Sequence, residues 1–351
     1  MYEHNKYMQR CIQLAALGAG NVSPNPMVGA VIVHHDKILG EGYHQKYGGP
    51  HAEVNAINMV LTKYPNAAAL LSESIIYVSL EPCAHYGKTP PCADLIIKHG
   101  IPNVVVGCRD PFDQVNGKGI DKLKAAGINV ITGVLEKECL DLNRRFFTRV
   151  RLQRPYIILK WAKTEDCFFA PHNKVQFWIT GKESRTLVHK WRSEEDAILV
   201  GKNTVMADNP KLDTRLWHGK SPKRIIIDRN LEINRDCNVF DNSVETFVFN
   251  AVKIEVENNI KYIALEDFDR FVPQYILYQL YLQDIQSVII EGGAYTLTRF
   301  IEAGLWDEAR VFTGDASINN GIASPAITGK LKGTFKIGKD SLQIIYNTRI
   351  D

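Results

Sequence analysis

Four short apolar runs alternate with segments of helical period in the first part of the chain. That alternation limits the fold more than any other feature. The runs are MVGAVIV (27–33), SIIYVSL (74–80), NVVVGC (103–108) and NVITGVL (129–135). Runs this short, rich in β-branched residues and bounded by turn signals, suit buried strands. Between them, HAEVNAINMVL, ADLIIKHG and GIDKLKAAG repeat apolar residues at helical spacing, and Gly100 and Gly127 close the last two. An opening helix is predicted from Tyr2 to about Gly18, where Met8, Cys11, Ile12, Ala15 and Ala16 share a face. NVSPNP is a turn, and HHDKILGEGYH reads as a hairpin into a second strand. Strands alternating with helices make a layered α/β domain with a largely parallel sheet.

At roughly 100–200 residues per domain, a chain of 351 residues predicts two domains. KECLDLNRRFFTRVRLQRP is a dense basic run ending at Pro155, and segment 148–155 is the expected boundary. One domain then covers 1–148 and the other 149–351. Beyond the seam, YIILKWAK, DAILVG, KRIIID, ETFVFN and QSVIIEGG read as strands, with TGKESRTLVHKWRSE and AYTLTRFIEAG as helices. The second domain is again α/β. Residues 250–284 and the tail after Ser324 carry little periodic signal.

Composition narrows the class. Apolar residues make up 45% and charged residues 23%, as in ordinary soluble globular proteins. A net charge of +3 is too small to argue for nucleic acid and suits an anionic small substrate. No apolar run reaches the length of a membrane span, and the polar opening is not a secretory signal. With seven cysteines and no such signal, a reducing, cytoplasmic setting is expected.

The chemistry concentrates around LEPCAHYGKTPPC, residues 80–92. His51 stands at the predicted start of a helix, and Cys83 and Cys92 flank the loop after the next strand. One imidazole and two thiolates make three good zinc ligands, and a fourth position left to water describes a catalytic zinc. Bound zinc can bring the pKa of its water to roughly 7. Glu53, two residues after His51, is spaced to sit beside the metal and shuttle a proton. H-x-E followed by P-C and a second cysteine is the zinc deaminase signature. Here the insert AHYGKTPP lengthens the usual two-residue gap to eight. Cys11, Cys108, Cys139, Cys167 and Cys237 show no partner pattern and read as core or surface residues.

HAE, LEPCAHYGKTPPC and the upstream SPNPMVGAVIV together resemble the bifunctional deaminase–reductases of riboflavin biosynthesis. The resemblance implies a cytidine-deaminase-like, three-layer first domain that removes the 2-amino group from a phosphoribosylamino-pyrimidinone. It places His51, Cys83 and Cys92 on zinc, Glu53 on the proton, and Asn25, His44, His85, Lys88 and Asp110 around the substrate. In the second half, LKWAK, FWITGKESR, HKWRSEEDAILVGKNTVMADNPKL and VIIEGG fall in the order of the same family's reductase domain. That domain resembles dihydrofolate reductase and uses NADPH to reduce the ribosyl group to ribityl. The resemblance puts Ala162, Trp178, Thr204, Asp208 and the turn Gly293, Ala294, Tyr295, Thr296, Leu297, Thr298 and Arg299 on the cofactor. It puts Lys160, Asp166, Gln176, Arg192, Leu212, Arg215 and Glu291 on the substrate, with Arg192 and Arg215 as phosphate forks. It also implies a homo-oligomer acting on a free small molecule.

The chain departs from the family at TEDCFFA, where Cys167 replaces the usual glycine. This departure leaves one other reading open, and two more stand beside it. One is a deaminase with an impaired reductase-like domain. Another is a nucleic-acid base deaminase that uses the basic seam Arg144–Arg154. The third is a zinc-stabilised module, for which His85 is the nearest fourth ligand.

Overall fold

The computed structural model describes every residue except 1, 85, 87–89, 112–115, 173–176 and 349–351. It divides into two compact units, Met1–Leu152 and Gln153–Asp351.

In the first unit α1 (Tyr2–Ala16) leads to β1 (Gly29–His34), β2 (Lys37–Tyr43), α2 (Ala52–Lys63) and α3 (Ala67–Leu71). Then come β3 (Ile75–Leu80), α4 (Cys92–Lys98), β4 (Asn103–Cys108), α5 (Lys118–Ala125) and β5 (Asn129–Thr132). The helices α6 (Glu136–Leu142) and α7 (Arg144–Leu152) end the unit. The five strands lie in the order β2-β1-β3-β4-β5. β1 runs antiparallel to both neighbours, while β3, β4 and β5 are parallel. Alternate residues of each strand face opposite sides. On one side Ile32, Ile76, Val78, Val104 and Val106 pack with Ala56, Ile57 and Val60 of α2 and Ile96 of α4. On the other, Val31, Tyr77 and Val105 pack with Met8 and Cys11 of α1, Cys139 of α6 and Phe147 of α7. The result is three layers. Residues Arg144–Leu152 of the basic run form α7, whose Phe147 is buried.

The second unit holds β6 (Tyr156–Lys163), β7 (Phe168–Pro171), α8 (Lys182–Glu194), β8 (Ala197–Gly201), α9 (Lys202–Asp208) and β9 (Lys223–Ile227). It continues through β10 (Thr246–Asn250), β11 (Glu255–Glu257), β12 (Ile260–Ala264), α10 (Val272–Leu282), β13 (Ser287–Ile290) and α11 (Ala294–Glu302). It closes with β14 (Glu308–Thr313), β15 (Gly321–Ala323), β16 (Lys330–Ile337) and β17 (Asp340–Tyr346). Ten strands form one sheet in the order β11-β12-β10-β9-β8-β13-β6-β14-β17-β16. From β12 to β14 the pairings are parallel, and β17 and β16 add an antiparallel edge. One face packs on α10 and α11 through Ile276, Leu280, Leu297 and Phe300. The opposite face packs on α8 through Val188 and Trp191. Among the described residues no helix is long and apolar enough to cross a membrane.

Candidate active sites

In the first unit the carboxyl end of β3 and the first turns of α2 and α4 converge. His51 caps α2 in an extended conformation, so its ring projects from the helix start. Its Nδ1 lies 3.3 Å from Cys92 Sγ and 3.7 Å from Cys83 Sγ. Candidate ligand atoms of the three residues lie within 4.8 Å of one another, and among the described residues no further His, Cys, Asp or Glu joins them. Two sulfurs and an imidazole facing one point fit zinc by donor chemistry. The loop is closed at its base, where the Cys92 N–H donates to Cys83 Sγ at 3.3 Å and the Ala93 N–H to the Cys83 carbonyl at 3.2 Å. The hydrogen bond from the Cys92 thiol draws Cys83 down to about 4, aided by His51 and opposed by burial.

Glu53 is buried one residue inside α2. Burial pushes its carboxyl above the ordinary range, with the His51 charge pulling the other way. A buried carboxyl beside the metal ligands is placed to take up and release a proton. Beside it, the buried His44 stacks edge-on to His51 at 5.5 Å. The Asn25 amide donates to His44 Nε2 at 3.1 Å, and His44 Nδ1 donates to the Pro50 carbonyl at 3.0 Å. A carbonyl only accepts, so the proton is on Nδ1 and the Asn25 amide is fixed with its oxygen free of this bond. Asp110 is buried after β4. His85 and Lys88 lie outside the described residues.

One residue the sequence reading passed over organises this site. Glu81, buried just before Pro82-Cys83, accepts four backbone N–H groups, from Asp110 (3.3 Å), Gly117 (3.0 Å), Gly119 (3.0 Å) and Ile120 (3.3 Å). The carboxylate thereby ties the cysteine loop to the start of α5. A Cβ at Gly119 would sit 1.9 Å from the Pro82 carbonyl oxygen, so only glycine permits this approach. The signal was a Glu next to the metal motif, but its partners lie in another loop.

In the second unit β6, β13, α8, α9 and α11 supply the expected residues. Arg192 grips Glu291 with two parallel bonds of 3.0 and 2.9 Å and gives its third nitrogen to the Asp213 carbonyl at 3.1 Å. The guanidinium of Arg192 is thereby engaged with Glu291. Arg215, exposed and paired with Asp213, is the arginine that faces solvent. Lys160 Nζ lies 3.6 Å from Glu291. Burial lowers the Lys160 pKa against the pull of Glu291. Burial alone would raise Glu291, yet Arg192 and Lys160 hold it at about 2. Asp166 spends its carboxylate on the N–H groups of Ile318 (3.1 Å) and Asn319 (2.7 Å), so it fastens a loop. Leu212 is buried in the core beside Val205 and Ile226. Gln176 lies outside the described residues.

Two helix starts meet in this unit. Gly293 caps α11, and its N–H donates to Thr204 Oγ1 of α9 at 2.8 Å. Gly201 caps α9, and a Cβ there would reach Thr296 Oγ1 at 2.6 Å. Close backbone approach at a strand–helix turn is what a phosphate-bearing ligand needs. Tyr295 is exposed, Thr296 and Leu297 are buried, and Ala294, Thr298 and Arg299 continue α11. Ala162 lies on β6, burial raises Asp208 at the end of α9, and Arg185 covers the exposed Trp178 ring at 4.6 Å. Cys167 sits at φ +67, the left-handed region that favours glycine, with its thiol 3.8 Å from Lys163 Nζ. The turn keeps its backbone bond from the Cys167 N–H to the Thr164 carbonyl at 3.0 Å, so the cysteine is accommodated with its side chain outward.

His189 on α8 was also passed over in the sequence. It is buried, and its Nδ1 has no partner among the described residues. Burial, then the charges of Arg192 and Arg215, hold it down at about 4, against an ordinary 6.5. Between those pH values the unfolded chain binds a proton that the folded chain does not. The second unit is therefore expected to lose stability as pH falls from about 6.5 toward 4, by up to roughly 3 kcal/mol from this group. His189→Gln should flatten that slope in urea denaturation followed across pH. An unchanged slope would place its cause in another group.

Residues 1–108 match the cytidine and deoxycytidylate deaminase zinc-binding region, and residues 155–321 match the RibD C-terminal domain. With the two sites above, that pairing defines a bifunctional enzyme, a zinc-binding deaminase joined to a reductase. The riboflavin biosynthesis protein RibD of Aquifex aeolicus is 41% identical over 324 residues, covering 90% of this chain and 88% of its own. That of Bacillus amyloliquefaciens is 40% identical over 333 residues, covering 92% and 88%. The crystal structure of a diaminohydroxyphosphoribosylaminopyrimidine deaminase/5-amino-6-(5-phosphoribosylamino)uracil reductase from Thermotoga maritima superimposes with a TM-score of 0.89 at 36% identity, covering 99% of each chain. The chain belongs to the RibD family, the bifunctional deaminase–reductases of riboflavin biosynthesis. Its cofactors are zinc and NADPH.

Proposed function

We propose that the chain carries out two successive steps on one phosphoribosyl-pyrimidine in the cytoplasm. The first removes the 2-amino group of 2,5-diamino-6-(5-phosphoribosylamino)pyrimidin-4(3H)-one by hydrolysis. The second reduces the ribosyl group of the deaminated product to ribityl. The observation that carries this reading is the convergence of His51, Cys83 and Cys92 beside the buried Glu53.

His51, Cys83 and Cys92 would hold zinc, which when bound makes water a nucleophile at neutral pH. Glu53 takes the proton from the attacking water and returns it to the departing amine, so the expelled group leaves as ammonia. Asn25, aimed by His44, orients the pyrimidine, with Asp110 and His85 completing the pocket. Lys88 and, in the second unit, Arg215 meet substrate phosphate as cations. NADPH supplies the hydride in the second step. The turn from Gly293 to Arg299 and Thr204 would hold its phosphates, and Ala162, Trp178 and Asp208 would line the rest of its site. Lys160 holds a proton at Nζ near the sugar, and Arg192 and Glu291 fix its position. Asp166 and Leu212 shape the pocket from behind, and Gln176 contacts substrate. A homo-oligomer and a free small molecule, not a nucleic acid, complete the reading.

The test supplies the diaminopyrimidinone ribosyl phosphate to the full chain with and without NADPH. Ammonia release and NADPH oxidation are followed together. Both signals are expected, and ammonia alone would favour an impaired second site. Cys167→Gly separates these outcomes further. It should shift stability by no more than about 1 kcal/mol and leave NADPH oxidation at the wild-type rate. A large gain in that rate would show the cysteine to be inhibitory.

A further inference from the structure

A second group of metal-ligating side chains lies at the amino-terminal end of β3. β1 and β2 are joined by a two-residue turn, with His34 paired to Lys37 and positive φ at both His35 (44°) and Asp36 (60°). Two left-handed residues in succession make the mirror-type hairpin turn that matches strand twist. That turn favours Asn-Gly, and nothing in it calls for two adjacent imidazoles. Their rings nevertheless meet edge-on, with centroids 4.2 Å apart. The sheet register sets Val33 beside Ile75, so Glu73, two residues before Ile75, comes alongside the turn. His34 Nε2 lies 3.3 Å from Glu73 Oε2. One candidate ligand atom each from His34, His35 and Glu73 falls within a 4.8 Å group.

We propose that His34, His35 and Glu73 form a second, exposed binding site for a divalent transition-metal ion such as zinc. Two imidazoles and a carboxylate suit zinc, nickel or copper, and not magnesium or calcium, which take oxygen ligands. Tetrahedral zinc holds its nitrogen and oxygen ligand atoms roughly 3.4 Å apart. His34 and Glu73 already meet that spacing, and the exposed His35 closes the rest by side-chain rotation. Three protein ligands leave a position to water. Glu73 precedes β3 and Cys83 follows it. A six-residue strand, about 20 Å long, therefore separates this site from the first one. Occupancy would tie the β1–β2 turn to the segment entering β3 and brace the first unit.

The test uses the full chain, equilibrated by dialysis against buffers of defined free zinc and assayed for bound metal. Wild-type protein is expected to reach two zinc ions per chain as free zinc rises. His34→Ala/His35→Ala and Glu73→Gln are expected to stop at one. The wild-type thermal transition should rise between the one-zinc and two-zinc conditions, and those of the variants should stay still. Glu73→Gln changes one exposed side chain, so it guards against a folding defect in the double variant. A wild-type chain that stops at one ion would overturn the proposal. So would variants that bind two.

Discussion

A Glu53→Gln protein should retain its zinc and lose about two to four orders of magnitude in ammonia release, the range typical of a positioned acid–base group. Glutamine has the same shape and can occupy the same buried place on α2, but it cannot take a proton. His51 is set by the helix cap and the cysteines by the loop base, and the glutamine oxygen can still accept the hydrogen bond that the Cys92 thiol gives Glu53. NADPH oxidation on the already deaminated substrate should be unchanged, because its site lies in the other unit. Zinc content by atomic absorption, measured with both rates, decides the matter. Zinc and activity falling in the same proportion would make Glu53 a structural support of the metal instead of its proton carrier.

The largest effect in the second unit is expected from Arg192→Ala. Arg192 and Glu291 are both almost wholly buried, and Arg192 is the main attraction holding Glu291 ionised at about 2. Removing one partner of such a pair strands the other, at a cost of about 3–5 kcal/mol. The urea midpoint of the second unit should fall accordingly, and NADPH oxidation should be lost while ammonia release persists. Arg192→Met/Glu291→Met should recover most of the stability and none of the reduction. Recovery of both would place the pair in the scaffold alone. A single variant with an unchanged midpoint would mean that Lys160 suffices to hold Glu291.

What could be read in the sequence follows from how local each cause is. The buried strands of the first unit lie inside the sheet, so Ile76, Val78, Val104 and Val106 stand in short apolar runs visible without a fold. The zinc signature is visible for a related reason: each ligand sits at a strand end or helix start that its own neighbours announce. The tail after Ser324 gave little because β16 is an edge strand with mostly exposed side chains, leaving no alternation to see. α7 shows no apolar period in its basic run because Phe147 is its one buried side chain. Glu81 and His189 could not be picked out, since their importance comes from backbone groups and charges that only folding brings near. Arg192 was found, but whether its fork is open or spent depends on Glu291, ninety-nine residues away in the chain.

The closure at the base of the cysteine loop bears on how such enzymes can diversify. One cysteine is moored through Glu81 and Gly119 to α5, and the other opens α4, while two hydrogen bonds join the two ends. The span between them can therefore lengthen, shorten or change residues without disturbing the ion's anchorage. Chemistry and recognition become separable traits on one stretch of chain. A grafted span from a deaminase of different substrate preference is a natural route to retargeting this domain.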